Sequence, residues 1–234
     1  MENSPENEKY WRERKKDDPR LDWRIGEEDW IGGYLLSTSH PHRELVKRAV
    51  QSLLPIKSLL EVGCNVGPNL AVLQDEFKNA VLLCGLDVNK DALQKGSEVL
   101  PEIVFIEGSA KRLPFPNKSF DIVLVDAVLM YISPEKIVNV INEIVRVARK
   151  GIIFVEWFDS DLLGSVQFWH WARDYKTLLE QRGMKVEMRK ITQEDWPSEN
   201  WSSIGYVFIG KWAENSPQGQ LELKKEGIYE SADF

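Results

Sequence analysis

Residues 59–69 read L-L-E-V-G-C-N-V-G-P-N, and the fold follows from them. An apolar run closes on Glu61 and Val62, Gly63 and Gly67 stand four apart, and Pro68 opens a helical pattern. The spacing predicts a strand over 58–62, a tight turn, and a helix over 68–77 with proline suited to its first turn. Glycine is required where the main chain turns sharply and approaches a ligand that any Cβ would exclude. Asn65, between the two glycines, is the non-glycine residue that best tolerates left-handed backbone. Strand, turn and helix N-terminus in this order form the place where α/β proteins bind nucleotide-like cofactors. A second strand, 81–86, ends in Asp87, about twenty residues beyond the first glycine, the distance at which a carboxylate reaches ribose hydroxyls.

Outward from this core, strands and helices alternate. Before it, residues 41–54 place Leu45, Val46, Ala49, Val50, Leu53 and Leu54 at helical spacing. After it come a helix over 90–100, strands over 103–106 and 121–125, and a helix from Ser133-Pro134, with Ser133 as its cap, to about Ala148. A strand over 152–156, a helix over 167–182 stopped by Gly183, and strands over 185–190 and 205–209 complete the pattern. Such alternation demands a parallel sheet covered on both faces, with ligands at the C-terminal strand ends. No helix is expected between Lys190 and Gly205, so the last two strands read as an antiparallel, hairpin-like edge. Residues 1–40 read as a charged extension, mobile over 1–20, with a possible lid over 21–39 hinged at Gly32-Gly33. Residues 41–212 form the domain proper, and 213–234 a flexible tail.

At 234 residues the chain is long enough for one domain with a full core. Its net charge of -7 argues against a nucleic-acid partner held by phosphate contacts. No apolar run is long enough to insert in a membrane, and residues 1–9 are too polar for a signal peptide. Cys64 and Cys84 lack metal-ligand spacing, so no metal site is expected, and they suit a reducing, cytoplasmic setting. All nine tryptophans lie outside residues 57–156. The aliphatic half is therefore the cofactor half, and the aromatics belong to the flanks, either as packing or as an acceptor pocket.

Residues 108–121 (G-S-A-K-R-L-P-F-P-N-K-S-F-D), taken with the glycine turn and Asp87, resemble the class I S-adenosylmethionine-dependent methyltransferases. The likeness is closest to the small-molecule branch that methylates quinones and sterols, and it spans about residues 44–150. It implies a doubly wound, Rossmann-like seven-stranded sheet, mostly parallel with an antiparallel last strand and helices on both faces. It also implies S-adenosylmethionine as cofactor, S-adenosylhomocysteine as product and a small-molecule acceptor. Gly63, Cys64, Asn65, Gly67 and Asn69 would surround the methionine part, Asp87 the ribose, and Val88, Ser109 and Ala110 the adenine. Ser109 replaces the aspartate usual in the family and brings a hydroxyl in its stead. Asp126 would face the methionine ammonium or the acceptor.

Transfer of a methyl group from a sulfonium needs alignment, exclusion of water and, for a tightly held acceptor proton, a base. His170 is the candidate base, because on a helix Asp174, four residues on, would orient its ring; a surface ion pair is the alternative. Tyr131 follows the fourth strand and is the second catalytic candidate, with core packing as its alternative. Glu156 and Trp157 end the fifth strand and are expected to point to the same crevice. Trp30, Tyr34, Tyr131, Trp157 and His170 are the expected substrate contacts. His40 and His42, flanking Pro41, read as helix-entry residues. Two other functions share parts of this pattern. A nicotinamide-dependent oxidoreductase would place its second glycine where Asn65 stands. A catalytically idle partner subunit would be expected to lose Asp87 or fill the turn.

Overall fold

The computed structural model describes residues 7–15, 30–78, 80–168 and 170–212. A seven-stranded sheet runs through the centre in the order β3 (Val104–Glu107), β2 (Leu82–Asp87), β1 (Ser58–Val62), β4 (Phe120–Asp126), β5 (Ala148–Trp157), β9 (Gly205–Trp212), β8 (Met184–Lys190). The strands from β3 to β5 pair in parallel, and β9 is antiparallel to both neighbours, β5 and β8. The central strands are apolar on both faces because helices cover both sides. Leu59, Ile122, Leu124 and Ile153 pack under α3 (His42–Gln51), α4 (Pro68–Phe77) and α5 (Lys90–Val99). Leu60, Val62, Val123 and Phe154 pack under α6 (Pro134–Val147) and α7 (Tyr175–Glu180).

Register aligns the C-terminal strand ends. Val62 lies opposite both Leu86 and Val125, and Asp126 lies opposite Val155. Glu61, Asp87, Asp126 and Trp157 therefore share one edge of the sheet. At that edge β1 sends its connection to one side and β4 to the other, the switch point at which open α/β sheets bind ligands.

Several flanking elements differ from the sequence expectation. Residues 7–13, expected to be mobile, form α1 (Asn7–Glu13), and Gly32 and Gly33 lie within α2 (Trp30–Leu36) rather than at a hinge. Residues 16–20 of the expected extension, 21–29 of the expected lid and the expected tail, 213–234, lie outside the described residues. The helix expected over 167–182 is instead a hairpin, β6 (Ser165–Gln167) with β7 (His170–Ala172), followed by α7. Asp174 accounts for the late start: its carboxylate takes the Thr177 N–H at 2.9 Å and hydroxyl at 2.7 Å, which caps the helix there. A short α8 (Glu199–Ile204) also occupies the connection between β8 and β9 where no helix was expected. Ser133 precedes α6, but its hydroxyl makes no cap bond.

Candidate active site

The turn after β1 alternates left-handed residues: Gly63, Asn65 and Gly67 have φ of 79°, 54° and 83°. A Cβ on Gly63 would lie 2.3 Å from a Val128 methyl, so only glycine lets the turn pass beneath the loop after β4. Asn65 takes the left-handed conformation of a third glycine and holds the Val66 N–H with its own side-chain oxygen at 2.8 Å. Asp87 ties this turn to the next strand, accepting the Asn65 and Asn89 N–H groups at 2.9 Å each. Burial raises the Asp87 carboxyl above its ordinary value, and these N–H groups oppose the rise.

A cleft of about 630 Å³ opens above these strand ends. A buried polar cluster forms part of its wall. Asn69 Nδ2 donates to Glu61 Oε1 at 2.7 Å and to Asp126 Oδ2 at 2.9 Å. Arg43 Nη1 donates to Asn69 Oδ1 at 2.9 Å and to Asp126 Oδ2 at 3.1 Å, while its other nitrogens reach Ser37. His42 Nε2 lies 3.2 Å from Asp126 Oδ2, and its Nδ1 lies 2.5 Å from His40 Nδ1. Burial pushes the Glu61 carboxyl up to about 8. Burial, with Arg43 adjacent, drops the His42 imidazole to about 4. Burial works against ionisation of Asp126 as well, but His42, Arg43 and Asn69 together hold it below the carboxylate range. Two carboxyl oxygens remain: among the described residues, buried Glu61 Oε2 and Asp126 Oδ1 meet no hydrogen-bond partner.

The remaining wall is aromatic. Trp11, Tyr131, His170, Trp157, Trp201 and Trp196 meet in sequence, edge to face at 4.7–5.8 Å except for the last pair, which stacks at 3.9 Å. Trp196 then stacks on His42 at 4.0 Å. Two buried groups set this arrangement. Glu156 accepts the N–H groups of Val128, Leu129 and Met130 at 2.7, 2.7 and 3.2 Å. It thus orders the loop carrying Tyr131 and does not reach the crevice, contrary to the sequence expectation. Arg173, fully buried, donates to the carbonyls of Leu129, Ile132 and Leu163 and fastens that loop to the hairpin carrying His170.

Gly63, Cys64, Asn65, Asn69, Asp87, Val88, Ala110, Asp126, Tyr34, Tyr131, Trp157 and His170 all line the cleft. Gly67 does not: it faces Phe105 and Leu100 at the packing of α4 on its neighbours. Ser109 also stands off the wall, its hydroxyl donating to Glu8 at 3.0 Å. His170 shares no helix with Asp174; its ring rests on Tyr131 and Trp157. Trp30 opens α2, and its side chain lies outside the described residues. Sequence reading missed Arg43, His42, His40 and Trp11 as wall residues. For His40, His42 and Arg43 the signal is that polar side chains cluster at the entry to α3; Trp11, in the second half of α1, carries no such signal.

Residues 59–151 match the model of a family described as a methyltransferase domain. A fatty-acid O-methyltransferase of Mycolicibacterium smegmatis is 30% identical over 143 residues, which is 60% of this chain and 48% of that protein. A phthiotriol/phenolphthiotriol dimycocerosates methyltransferase of Mycobacterium tuberculosis is 31% identical over 179 residues, 72% of this chain and 64% of the relative. The chain thus spans about half the length of the first of these relatives and just under two thirds of the second. In fold it is similar to the magnesium protoporphyrin IX methyltransferase of Synechocystis solved with bound S-adenosylmethionine. There the TM-score is 0.61 at 14% identity, over 91% of this chain and all of that one.

Proposed function

We propose, from the premise that this chain carries a domain of the class I S-adenosylmethionine-dependent methyltransferase superfamily, that it transfers a methyl group to an apolar, small-molecule acceptor. The observation that carries this reading is the pair of buried carboxyl oxygens, Glu61 Oε2 and Asp126 Oδ1, in the cleft wall. Buried polar oxygens without a partner cost free energy; an amino-acid ammonium would donate to the Asp126 carboxylate, and its charge would favour ionisation of the neighbouring Glu61. Asp87, at the end of β2, keeps lone pairs for vicinal hydroxyls beyond the two N–H groups it already accepts. Gly63, Cys64, Asn65 and Asn69 would contact the methionine part, with Asp126 facing its ammonium. Val88, Ala110 and the neighbouring Gly108 would border the adenine. Gly67 and Ser109 would act by shaping that wall. Two unpaired, buried cysteines suit a cytoplasmic setting.

S-adenosylmethionine, when bound, supplies a methyl group already activated on sulfur. The protein's part is to bind, orient and dry the cleft. The aromatic wall supplies the dry surface, and Trp157, Tyr131, His170, Tyr34 and Trp30 are the proposed acceptor contacts. Tyr131 and His170 are the groups proposed to position the accepting atom. The relatives' names denote O-methylation of a fatty acid and methylation of phthiotriol or phenolphthiotriol dimycocerosates, which favours an oxygen-bearing, apolar acceptor. No helix among the described residues is long and apolar enough to cross a membrane.

Isothermal calorimetry with S-adenosylhomocysteine and with NADH tests the cofactor reading. Saturable heat is expected for S-adenosylhomocysteine alone, and Asp87→Asn should weaken it by about tenfold or more, the loss of one hydrogen bond to a charged group. Saturable NADH binding with none for S-adenosylhomocysteine would turn the reading toward an oxidoreductase. Isotopically labelled S-adenosylmethionine incubated with a metabolite extract should then yield a labelled product.

A further inference from the structure

We propose that the indole N–H of Trp157 selects the acceptor: it donates to a lone-pair oxygen of the acceptor's head group and rejects an ammonium. The proposal rests on the methyl-transfer reading and deepens it. An aromatic wall by itself would equally draw a cation onto its ring faces, so the wall does not decide the head group.

Trp157 closes β5, and backbone alternation decides which way its ring goes. Phe154 and Glu156 serve one face of the sheet, the second of them bonding the loop after β4, while Val155 and Trp157 pack on the other. Val155 is the register partner of Asp126, so Trp157 follows next along the wall from the polar cluster proposed for the methionine ammonium. Three rings hold the indole edge to face: Phe168 at 6.1 Å, His170 at 5.2 Å and Trp201 at 5.8 Å. The Trp201 contact depends on Gly205, which stands opposite Trp157 in β9. A Cβ there would lie 2.4 Å from the Trp201 carbonyl oxygen and 2.7 Å from its ring, so glycine lets α8 seat Trp201 against the strand end. The Trp157 carbonyl accepts the Arg173 N–H at 3.0 Å, which anchors the backbone beneath the ring.

The indole N–H has no such partner. The side chain is 3% exposed and lines the cleft, and among the described residues its Nε1 meets no acceptor. Buried tryptophans normally pair this group. Trp212 does so in this chain, donating from Nε1 to the Arg149 carbonyl at 2.7 Å. An indole N–H can only donate. Left unpaired in the wall it costs free energy, which an acceptor oxygen removes and an ammonium or a bare hydrocarbon does not. Sites built around such a group discriminate strongly against analogues that fail to complete it. Trp157 is therefore a specificity-determining residue that moves no proton.

Decanoate and decylammonium, equal in chain length and opposite in head group, are the probes, titrated into the chain saturated with S-adenosylhomocysteine. Decanoate is expected to bind about tenfold or more tightly, the worth of one hydrogen bond to a charged oxygen. Trp157→Phe keeps an aromatic plate and loses the N–H. It should weaken decanoate by about the same factor and leave decylammonium unchanged, whereas a merely structural role for the ring would weaken both alike. In ¹⁵N-indole NMR, the resonance missing from Trp157→Phe should move downfield with decanoate and not with decylammonium. No preference for decanoate, equal weakening of both probes, or an indole resonance that decanoate leaves unmoved would each overturn the proposal. So would a chain that binds S-adenosylhomocysteine but not decanoate. Absence of S-adenosylhomocysteine binding in the unaltered chain would overturn the methyl-transfer reading instead.

Discussion

Glu61 holds its proton to about pH 8 in the folded chain because burial penalises its charge, whereas an unfolded glutamate releases it near about pH 4.3. The folded state thus binds the proton more tightly, so the stability Glu61 contributes is full below the unfolded value and lost as pH rises through 8. His42 runs the other way. Its folded value of about 4 lies under the ordinary imidazole value, so its contribution is full above about pH 6.5 and lost as pH falls toward 4. Above about pH 6.5 the raised carboxyls of Glu61 and Glu156 (also pushed to about 8 by burial) still change charge. The thermal midpoint is therefore expected to fall from about pH 6.5 to about pH 8.5, and Glu61→Gln, which keeps an acceptor for Asn69, should flatten part of that fall. A midpoint that stays level, or a Glu61→Gln slope matching the unaltered one, contradicts the assignment. Asp87 and Gly63 were legible from sequence because turn chemistry and a strand end announce them. Arg43 was not, because its partner Asp126 lies 83 positions away and no local pattern encodes the pair.

The helix α1 illustrates how a cover is fastened at the level of elements. Asn89 serves two elements at once: its oxygen caps α5 through the Ala92 N–H at 3.0 Å, and its amide donates to the Trp11 and Arg14 carbonyls at 2.7 and 2.9 Å. Asn89→Asp keeps the cap and loses both donors. Limited trypsin digestion of this variant should cleave after Arg14 or Lys15 several-fold faster, with the thermal midpoint nearly unchanged since the cap survives. Equal cleavage rates would mean that α1 is held by other contacts. The α1 helix was not visible in sequence because a charged, polar segment carries no apolar period of its own and gains its order from Asn89, Ser109 and Lys111. The misplaced helix over 167–182 has a different origin. Its aromatic residues satisfy helical spacing by accident, and the deciding contacts, Arg173 on carbonyls of two other loops, are long-range.

Across the whole molecule, the sheet order was largely legible because the central strands are buried on both faces and therefore read as unbroken apolar runs. Leu124, fully buried in β4 and opposite Glu61 in register, lies in that shared core. Leu124→Ala should lower unfolding stability by about 2–5 kcal/mol in a denaturant titration, and a loss below about 1 kcal/mol would mean the core repacks freely around it. What sequence could not supply was closure of the cleft, since all but one of the contacts along its aromatic wall, the Trp196–Trp201 stack, join segments distant in the chain. That wall has one more consequence. Trp11, Trp157, Trp196 and Trp201 border the cleft, so the native protein carries its own optical reporter. Ligand entry should quench or blue-shift intrinsic fluorescence, and the parallel indoles of Trp196 and Trp201, 8° apart, should give an exciton couplet in circular dichroism that vanishes when either ring is removed.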